Sequence, residues 1–256
     1  MGPAGAGKST YCQALQDHAV THKRRILVAN LDPAAEHFGY DVALDIRELI
    51  TVEEVMEELG LGPNGALIYC LEYLLEHLNW LQDALEELDD DEYMLLDCPG
   101  QIELYTHVPI MKRILETLQI RGFGLCSVFC VDASFLTDHS KFLSGSLLSL
   151  SAMIAMELPH VNILTKCDLA PSSQVDKMLS NSSAYDVLEA PTPVGSRQRL
   201  TQALAQVLDD YSMVSFLPLN ITDEESLDHV LLTVDHALQY GEDADVKVPD
   251  DRDEDE

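Results

Sequence analysis

The first ten residues of the chain carry a pattern that binds phosphate groups. After Met1 the chain reads GPAGAGKST, which fits the spacing G-x-x-x-x-G-K-[ST]. Glycines let the backbone curl so that successive N–H groups point inward at an anion, and the helix that starts there turns its positive end toward the same anion. Lys8 would reach the β- and γ-phosphates of a nucleotide, and the Ser9 hydroxyl would bind Mg²⁺. We therefore predict nucleotide contacts from Gly2, Pro3, Ala4, Gly5, Ala6, Gly7, Lys8, Ser9 and Thr10.

A second phosphate-sensing pattern follows the apolar run at residues 93–96. Residues 97–101 read DCPGQ, which is D-x-x-G followed by glutamine. D-x-x-G alone is common by chance, but its place after a strand and downstream of a phosphate loop makes it specific. There Asp97 can hold a water on Mg²⁺, the Gly100 N–H can bond to the γ-phosphate, and Gln101 can orient the attacking water. We predict metal contacts from Ser9 and Asp97 and a catalytic role for Gln101.

A base-reading pattern ends the apolar run at residues 161–164. The next four residues are TKCD, which fits the [NT]-K-x-D motif of GTPases. The Asp168 carboxylate can accept hydrogen bonds from both N1–H and the 2-amino group of guanine, whereas adenine lacks this donor pair and would leave a buried Asp168 unpaired. Lys166 can lie along the base, and Thr165 stands where asparagine is more usual. The pattern predicts guanine as the base.

Asp32 is a further candidate for catalysis, and it has an ordinary alternative. Asp32 follows the apolar run at residues 25–30, at the edge of an α/β sheet where ligands bind. It could contact Mg²⁺ or water, or it could be only a turn residue before proline. Asn64 lies in the breaker cluster GLGPNG at residues 60–65. Composition alone favours a role for Asn64 in capping the next helix.

Strand-like and helical segments alternate along the chain. Strand-like runs lie at residues 25–30, 93–96, 125–131, 161–164 and 213–217. Helical patterns lie at residues 10–20, 46–59, 66–88, 107–121, 136–158, 198–211 and 224–240, the last one ended by Gly241. Residues 34–45 and 180–195 are predicted to be loops. The alternation predicts an α/β fold of the P-loop NTPase kind, with a mostly parallel sheet and helices on both faces.

The segment that precedes the phosphate loop departs from that fold. The loop should follow a buried central strand, and here only Met1 precedes it. We expect the first strand to be missing, so that its neighbours lose ladder partners and the chain is less stable and binds nucleotide more weakly than a version with the strand restored.

Composition limits the other possibilities. The chain has 256 residues and a net charge of −30, which argues against direct binding to nucleic acid. Nine of the acids lie within residues 242–256, which we expect to be a disordered tail after a single domain at residues 1–241. No apolar run approaches the roughly 18 residues of a membrane span. The six cysteines show no C-x-x-C spacing and indicate a reducing compartment without a disulfide framework.

The motif set resembles the GPN-loop GTPases. The resemblance rests on the phosphate loop, residues 97–101, residues 165–168 and the Gly62, Pro63, Asn64 triplet, and it spans residues 2 to about 240. The runs NLDPAAEHF and DCPGQIELYTH are similar to the third eukaryotic paralogue in particular. The resemblance implies the fold class that also holds signal-recognition and MinD-type proteins, and it implies GTP with Mg²⁺ as ligands.

The same resemblance implies a dimer whose nucleotide sites face each other. Gly62, Pro63 and Asn64 would form the dimer loop, and Asn64 would act in the partner's site near the terminal phosphate. The expected partner is another GPN-loop GTPase, the first eukaryotic paralogue, in a heterodimer. The expected clients are RNA polymerase II subunits or assembly factors, in a protein of the cytoplasm that supports nuclear import and could shuttle to the nucleus.

Two other functions stay open at this stage. One is a nucleotide-gated assembly scaffold with little or no hydrolysis. The other is a P-loop kinase for a small molecule or an RNA end, against which residues 165–168 and the acidic charge argue. A zinc or redox role for Cys126 and Cys130, which share one face of a strand, lacks further ligands and is weaker than core packing. Arg47 is a weak candidate for an arginine finger, and a surface role is favoured.

Overall fold

The computed structural model describes residues 1–87, 92–137, 139–171 and 214–240, with a few single positions between 173 and 207. The predicted loop at residues 180–195, the acidic tail at residues 242–256 and nearly all of the predicted helix at 198–211 lie outside the described residues. The predicted extent of the domain therefore stays a prediction.

The described strands form two three-stranded parallel sheets. The first sheet has the order β2-β1-β3, built from β1 (Ile26–Asn30), β2 (Val42–Asp45) and β3 (Tyr93–Asp97). The second has the order β4-β5-β6, built from β4 (Ser127–Asp132), β5 (His160–Thr165) and β6 (Phe216–Pro218). All pairs are parallel, so the carboxyl ends of the strands meet at one edge of each sheet. This confirms the predicted α/β fold and its parallel strands.

A cavity, called the slot below, lies between the two sheets. β3 and β4 both line this cavity of about 480 Å³, together with Tyr11 and Cys12 of the first helix. In the part of the chain that the structure describes, Met1 pairs with β4 directly ahead of the phosphate loop. Its amino group donates to the Val128 carbonyl oxygen at 2.7 Å, and the Cys130 N–H donates to the Met1 carbonyl oxygen at 2.9 Å. These two bonds pair Met1 with β4 in the parallel sense, directly ahead of the phosphate loop.

Helices cover both faces of the sheets. Their bounds are α1 (Lys8–Thr21), α2 (Val52–Leu59), α3 (Pro63–Glu76), α4 (Asn79–Glu86), α5 (Glu103–Thr106), α6 (Ile110–Ile120), α7 (His139–Met156) and α8 (Glu224–Leu238). Successive residues of β4 alternate between two cores, because Phe129 packs in the cluster of α3, α4 and α6 while Cys130 packs in the cluster of α1 and α8. None of the helices in the described ranges has both the length and the apolar character needed to cross a bilayer.

Three elements of the structure differ from those predicted from the sequence. The single helix expected at residues 66–88 is two helices, since His77 leaves helical geometry and its ring Nδ1 lies 2.9 Å from the Tyr73 carbonyl oxygen. The loop expected at residues 34–45 contains β2, an exposed edge strand that no hydrophobic alternation marks. The last helix ends at Gln239, which takes the left-handed conformation with φ 55°, and not at Gly241. Residues 51–54 read TVEE, a pattern that predicts a capping box, and the structure confirms it between Thr51 and Glu54.

We expect the buried ring of His160 to make the fold sensitive to acid. Its Nε2 lies 3.0 Å from Asn162 Oδ1, and its Nδ1 is buried with no hydrogen-bond partner within the described chain. Burial lowers the pKa of His160 to about 4, against about 6.5 in an unfolded chain. The unfolded state therefore binds the proton first, and stability present above pH 6.5 is lost as the pH falls toward 4, by about 2–3 kcal/mol.

Urea unfolding at pH 7.5 and pH 4.5 measures this loss. His160→Gln keeps a donor for Asn162 but cannot titrate, so its free energy of unfolding should fall less on acidification than that of the unaltered chain. An equal fall in both proteins would contradict the assignment to His160.

Candidate nucleotide site

The phosphate loop is held tightly between α1 and β4. Gly5 and Gly7 have φ values of 74° and 83°, and α1 begins directly after Gly7. A Cβ on Gly2 would lie 2.5 Å from the Cys130 carbonyl oxygen, so only glycine lets the loop approach β4 this closely. The Lys8 ammonium donates to the Pro3 carbonyl oxygen at 3.2 Å and so closes over its own loop. The loop has the backbone of an anion nest at a helix N-terminus.

The segment at residues 97–101 lies directly against that loop. A Cβ on Gly100 would come within 2.9 Å of the Ala4 Cα, which makes this another position where only glycine fits. Asp97 ends β3, is only 5% exposed and accepts a hydrogen bond from the Tyr40 hydroxyl at 3.0 Å. The Gln101 Oε1 atom is buried and has no hydrogen-bond partner within the described ranges. An unpartnered buried oxygen beside a phosphate loop suits a side chain that holds a water.

Asp32 interacts electrostatically with Lys8 and Asp97. Burial raises the pKa of Asp32, and the negative charge of Asp97 raises this pKa further. The hydrogen bond from the Ala34 N–H and the positive charge of Lys8 oppose the rise. The Ala34 N–H donates to Asp32 Oδ1 at 3.0 Å, so the residue is also the turn residue that its proline neighbour suggested. Both interpretations of Asp32 are thus compatible with the structure. A carboxylate with a raised pKa near Lys8 could accept a proton from water.

A buried asparagine, Asn30, forms hydrogen bonds with the backbone of Asp32. The Asn30 side chain is fully buried, accepts from the Asp32 N–H at 3.0 Å and donates to the Asp32 carbonyl oxygen at 3.1 Å. It also donates to Asp45 at 2.9 Å, and Asp45 in turn holds Arg47. Arg47 donates further to the Ala35 carbonyl oxygen at 2.8 Å. These bonds tie Arg47 to its own loop, in agreement with the surface role favoured over an arginine finger.

The base-reading segment is bonded to the phosphate loop. The Thr165 hydroxyl lies 2.7 Å from the Ala6 carbonyl oxygen and 3.1 Å from that of Val131. Lys166, in the left-handed conformation, donates to the Gly5 carbonyl oxygen at 2.7 Å and to Asp132 at 2.6 Å. Burial alone would raise the pKa of Asp132, but the bonds from Lys166 and Ser134 outweigh it and hold the pKa below its usual range. Thr165, the departure from asparagine, thus anchors the loop.

Asp168 occupies an open position. The sequence argument treated its carboxylate as buried, whereas the structure leaves it exposed in the short 3-10 helix Cys167–Leu169. Nearby, the Cys167 N–H donates to the Leu219 carbonyl oxygen at 3.2 Å, which brings the loop after β6 beside the motif. If Asp168 reads guanine as predicted, its desolvation has to come from the bound base.

Two contributors were not recognised from the sequence. Tyr40 lies in a segment predicted to be a loop, and no local pattern marks it as a partner of Asp97. Burial and the charge of Asp97 raise the pKa of Tyr40, so its hydroxyl stays a donor. Asp132 stood at the end of an apolar run, which is the position that could have flagged it.

The donor set fits Mg²⁺. Ser9 supplies a hydroxyl that makes no hydrogen bond within the described chain, and Asp97 and Asp32 supply carboxylates. A hydroxyl and carboxylates are the hard oxygen ligands that Mg²⁺ prefers. Ser9 and Asp97 would hold the ion beside Lys8, as the phosphate-loop pattern predicts.

Comparison with known proteins decides the family. A family model described as "Conserved hypothetical ATP binding protein" matches residues 1–240. GPN-loop GTPase 3 of Danio rerio is 49% identical over 263 residues, which cover 99% of this chain and 91% of that protein. The chain belongs to the GPN-loop GTPase family. GPN-loop GTPase 3 of Saccharomyces cerevisiae is 45% identical over 260 residues, which cover 98% of this chain and 95% of that protein.

A solved structure supports the fold of this family member. The crystal structure of a GTPase in apo form from Pyrococcus abyssi superposes with a TM-score of 0.77 at 22% identity, covering 92% of this chain and 95% of that one. The resemblance to GPN-loop GTPases and the predicted fold class are therefore confirmed.

The Gly-Pro-Asn triplet of this GPN-loop protein projects from its surface. All residues from Gly60 to Gly65 are exposed, and a Cβ on Gly60 or Gly62 would meet nothing within 4 Å. Gly62 is the N-cap of α3 and Pro63 its first residue, so the capping role considered for Asn64 is wrong. No hydrogen bond links Asn64 to the phosphate loop in the described parts of its own chain. Its predicted action in a partner's site stays a prediction.

Proposed function

We propose that this chain binds GTP with Mg²⁺ and hydrolyses it as part of a dimer. The observation that carries the proposal is that three sequence-distant motifs meet on one loop. Gly100 packs against Ala4, while Thr165 and Lys166 bond to Ala6 and Gly5. A phosphate contact, a γ-phosphate sensor and a base reader are thereby coupled through a few backbone atoms.

The roles of the residues follow from their positions. Lys8 and the N–H groups at the start of α1 neutralise charge that develops on the phosphates, and Mg²⁺ supplies further neutralisation when bound. Gln101 orients a water whose oxygen attacks the γ-phosphorus while the bond to the β–γ bridging oxygen breaks. We propose that Asp32, whose pKa is raised by burial, positions that water and takes a proton from it. Phosphate departure then releases the Gly100 contact.

The exposed loop supports the dimer. Residues 60–65 form a continuous exposed segment, with Leu59 and Leu61 beside it 49% and 37% exposed. Exposed leucines next to a glycine-rich turn suit insertion into another protein. We propose a heterodimer with another GPN-loop GTPase, the first paralogue, in which Asn64 reaches the partner's nucleotide.

The cellular role extends the family resemblance. We propose that the dimer assists assembly and nuclear import of RNA polymerase II from the cytoplasm, with its subunits or assembly factors as clients. A net charge of −30 favours basic protein surfaces over nucleic acid as binding partners. The split between the sheets supports one second candidate, a nucleotide-gated scaffold with little turnover, because in the described chain the backbone pairing of the segment ahead of the phosphate loop with β4 is limited to Met1.

Single-turnover hydrolysis of labelled GTP tests the proposal. We expect hydrolysis by the chain with its partner subunit, at least 10-fold slower with Asn64→Ala at unchanged GTP affinity, because Asn64 would act near the terminal phosphate. The matched control is Asn79→Ala, at the start of α4 outside the loop.

Two results would change the conclusion. Nucleotide-dependent assembly without measurable hydrolysis would favour the scaffold. Strong competition by ATP against labelled GTP would contradict the assignment of guanine as the base. The check is relevant because the matching family model is described as an ATP binding protein.

A further inference from the structure

Two histidines and an aspartate meet at the end of α1 that is remote from the phosphate loop. His18 lies in the last turn of α1, His22 is the C-cap residue of that helix, and Asp228 comes from the first half of α8. One ring nitrogen of each histidine and one carboxylate oxygen all lie within 4.8 Å of one another. We propose that these three side chains bind a divalent transition-metal ion that imidazole favours, such as Zn²⁺ or Co²⁺.

The His18 ring is the strongest part of the site. The residue is only 6% exposed, and neither ring nitrogen has a hydrogen-bond partner within the described chain. Its Nε2 lies 3.2 Å from Asp228 Oδ1, but the geometry of the pair is not that of a hydrogen bond. A buried imidazole nitrogen that faces a carboxylate without bonding to it is costly unless a third group joins them.

The His22 ring is oriented for metal binding. Its Nδ1 lies 3.1 Å from the His18 carbonyl oxygen, so Nδ1 carries the proton and Nε2 keeps its lone pair. Such a bond from the second ring nitrogen to a backbone carbonyl is the usual support of a metal-binding histidine. The free Nε2 faces the same carboxylate oxygen at 4.0 Å.

The distances are close to those of a loaded site. With bonds of about 2.1 Å, neighbouring ligands of a tetrahedral ion are separated by roughly 3.4 Å. The pair of His18 and Asp228 has this separation already. The pair of His22 and Asp228 has to close by roughly 0.6 Å, and both side chains are about half exposed, 47% and 46%, so they can move. Water can supply the fourth ligand from the exposed side.

The site differs from the Mg²⁺ site in place and chemistry. His18 follows Lys8 by ten residues of helix, about 15 Å along the axis. Nitrogen ligands select borderline-soft ions, whereas Ser9 and Asp97 offer only oxygen. A bound ion would join α1, which starts at the phosphate loop, to α8, which follows the loop beside residues 165–168. It would act as a clamp between the helices behind the nucleotide site.

Titration of the full chain with Co²⁺ in excess Mg²⁺ tests the site. We expect one equivalent to bind with visible bands of nitrogen and oxygen coordination and without a sulfur-to-cobalt charge-transfer band. Saturating Zn²⁺ should raise the melting temperature by about 5 °C. His22→Gln and Asp228→Asn alter exposed side chains, so they should fold, and each should weaken Co²⁺ binding at least 10-fold.

His77→Gln is the matched control, since His77 bonds the Tyr73 carbonyl oxygen in the same way but has no ligand neighbours in the described chain. It should keep the affinity of the unaltered protein. Absence of saturable binding, equal binding by the His22 and Asp228 variants, or a thiolate charge-transfer band would each overturn the proposal. The first result would leave only an ordinary contact of His18 with Asp228.

Discussion

Asp168→Asn is expected to lower the affinity for GTP about 100-fold while leaving the fold intact. The carboxylate is predicted to accept from two donors of guanine, whereas asparagine would keep one acceptor and turn an amide N–H₂ toward the 2-amino group. Loss of one charge-assisted bond and a clash of donors together cost about 3 kcal/mol, which corresponds to this factor. Because Asp168 is exposed and takes no part in the core, the melting temperature should not change.

The same substitution should improve binding of xanthosine triphosphate. Xanthine has a carbonyl oxygen at position 2, which accepts from the asparagine amide and repels a carboxylate. Equilibrium titrations with GTP, XTP and ATP measure the exchange of preference, and Asp17→Asn, an exposed change on α1, controls for loss of one negative charge. Unchanged GTP affinity in the Asp168 variant would show that the base is read elsewhere.

An apolar strand added ahead of Met1 is expected to stabilise the protein by about 3 kcal/mol. Five residues such as Val-Val-Ile-Val-Val would enter the slot of about 480 Å³, continue the parallel pairing that Met1 begins with β4, and join it to β3. Burial of five side chains at roughly 2 kcal/mol each exceeds the roughly 1.5 kcal/mol per residue that ordering costs, and ladder bonds add to the difference. In a chain of this size the melting temperature should rise by about 6–12 °C.

The strand would also anchor the phosphate loop at its left flank. GTP should therefore bind more tightly to the extended chain, since less of the binding energy is spent on ordering the loop. A five-residue Gly-Ser extension is the control, because it adds length without apolar side chains to fill the slot. Equal melting temperatures and equal GTP affinities for the two extended proteins would show that the slot does not accept a strand.

Short-range sequence patterns predicted the local structure correctly at several positions. The phosphate loop, residues 97–101 and residues 165–168 each follow or start a regular element, and their local spacing is what the chemistry requires. Thr51 and Glu54 form the predicted capping box for the same reason, since a cap depends on four consecutive residues. The meeting of the three motifs was predictable as well, because parallel strands bring their carboxyl ends to one edge.

Features that depend on residues far apart were not predictable. β2 forms on the free edge of β1, and one of the bonds that holds its end joins Asp45 to Asn30. The break after α3 follows from one histidine ring that bonds to the preceding turn. Tyr40 reaches Asp97 across 57 positions of the chain, and Lys166 reaches Asp132 across 34. No local periodicity encodes such pairs.

The sequence by itself determined the fold class and the positions of the phosphate-loop and TKCD patterns, because each of these patterns depends on neighbouring residues. Only the tertiary structure decided how the motifs are coupled. It bonded Thr165 and Lys166 to the backbone of the phosphate loop, left Asp168 and the Gly-Pro-Asn triplet exposed, and opened a slot between β3 and β4. It also brought His18, His22 and Asp228 together from two helices at opposite ends of the chain. Those results depend on which surfaces pack against each other, and packing is a property of the whole chain.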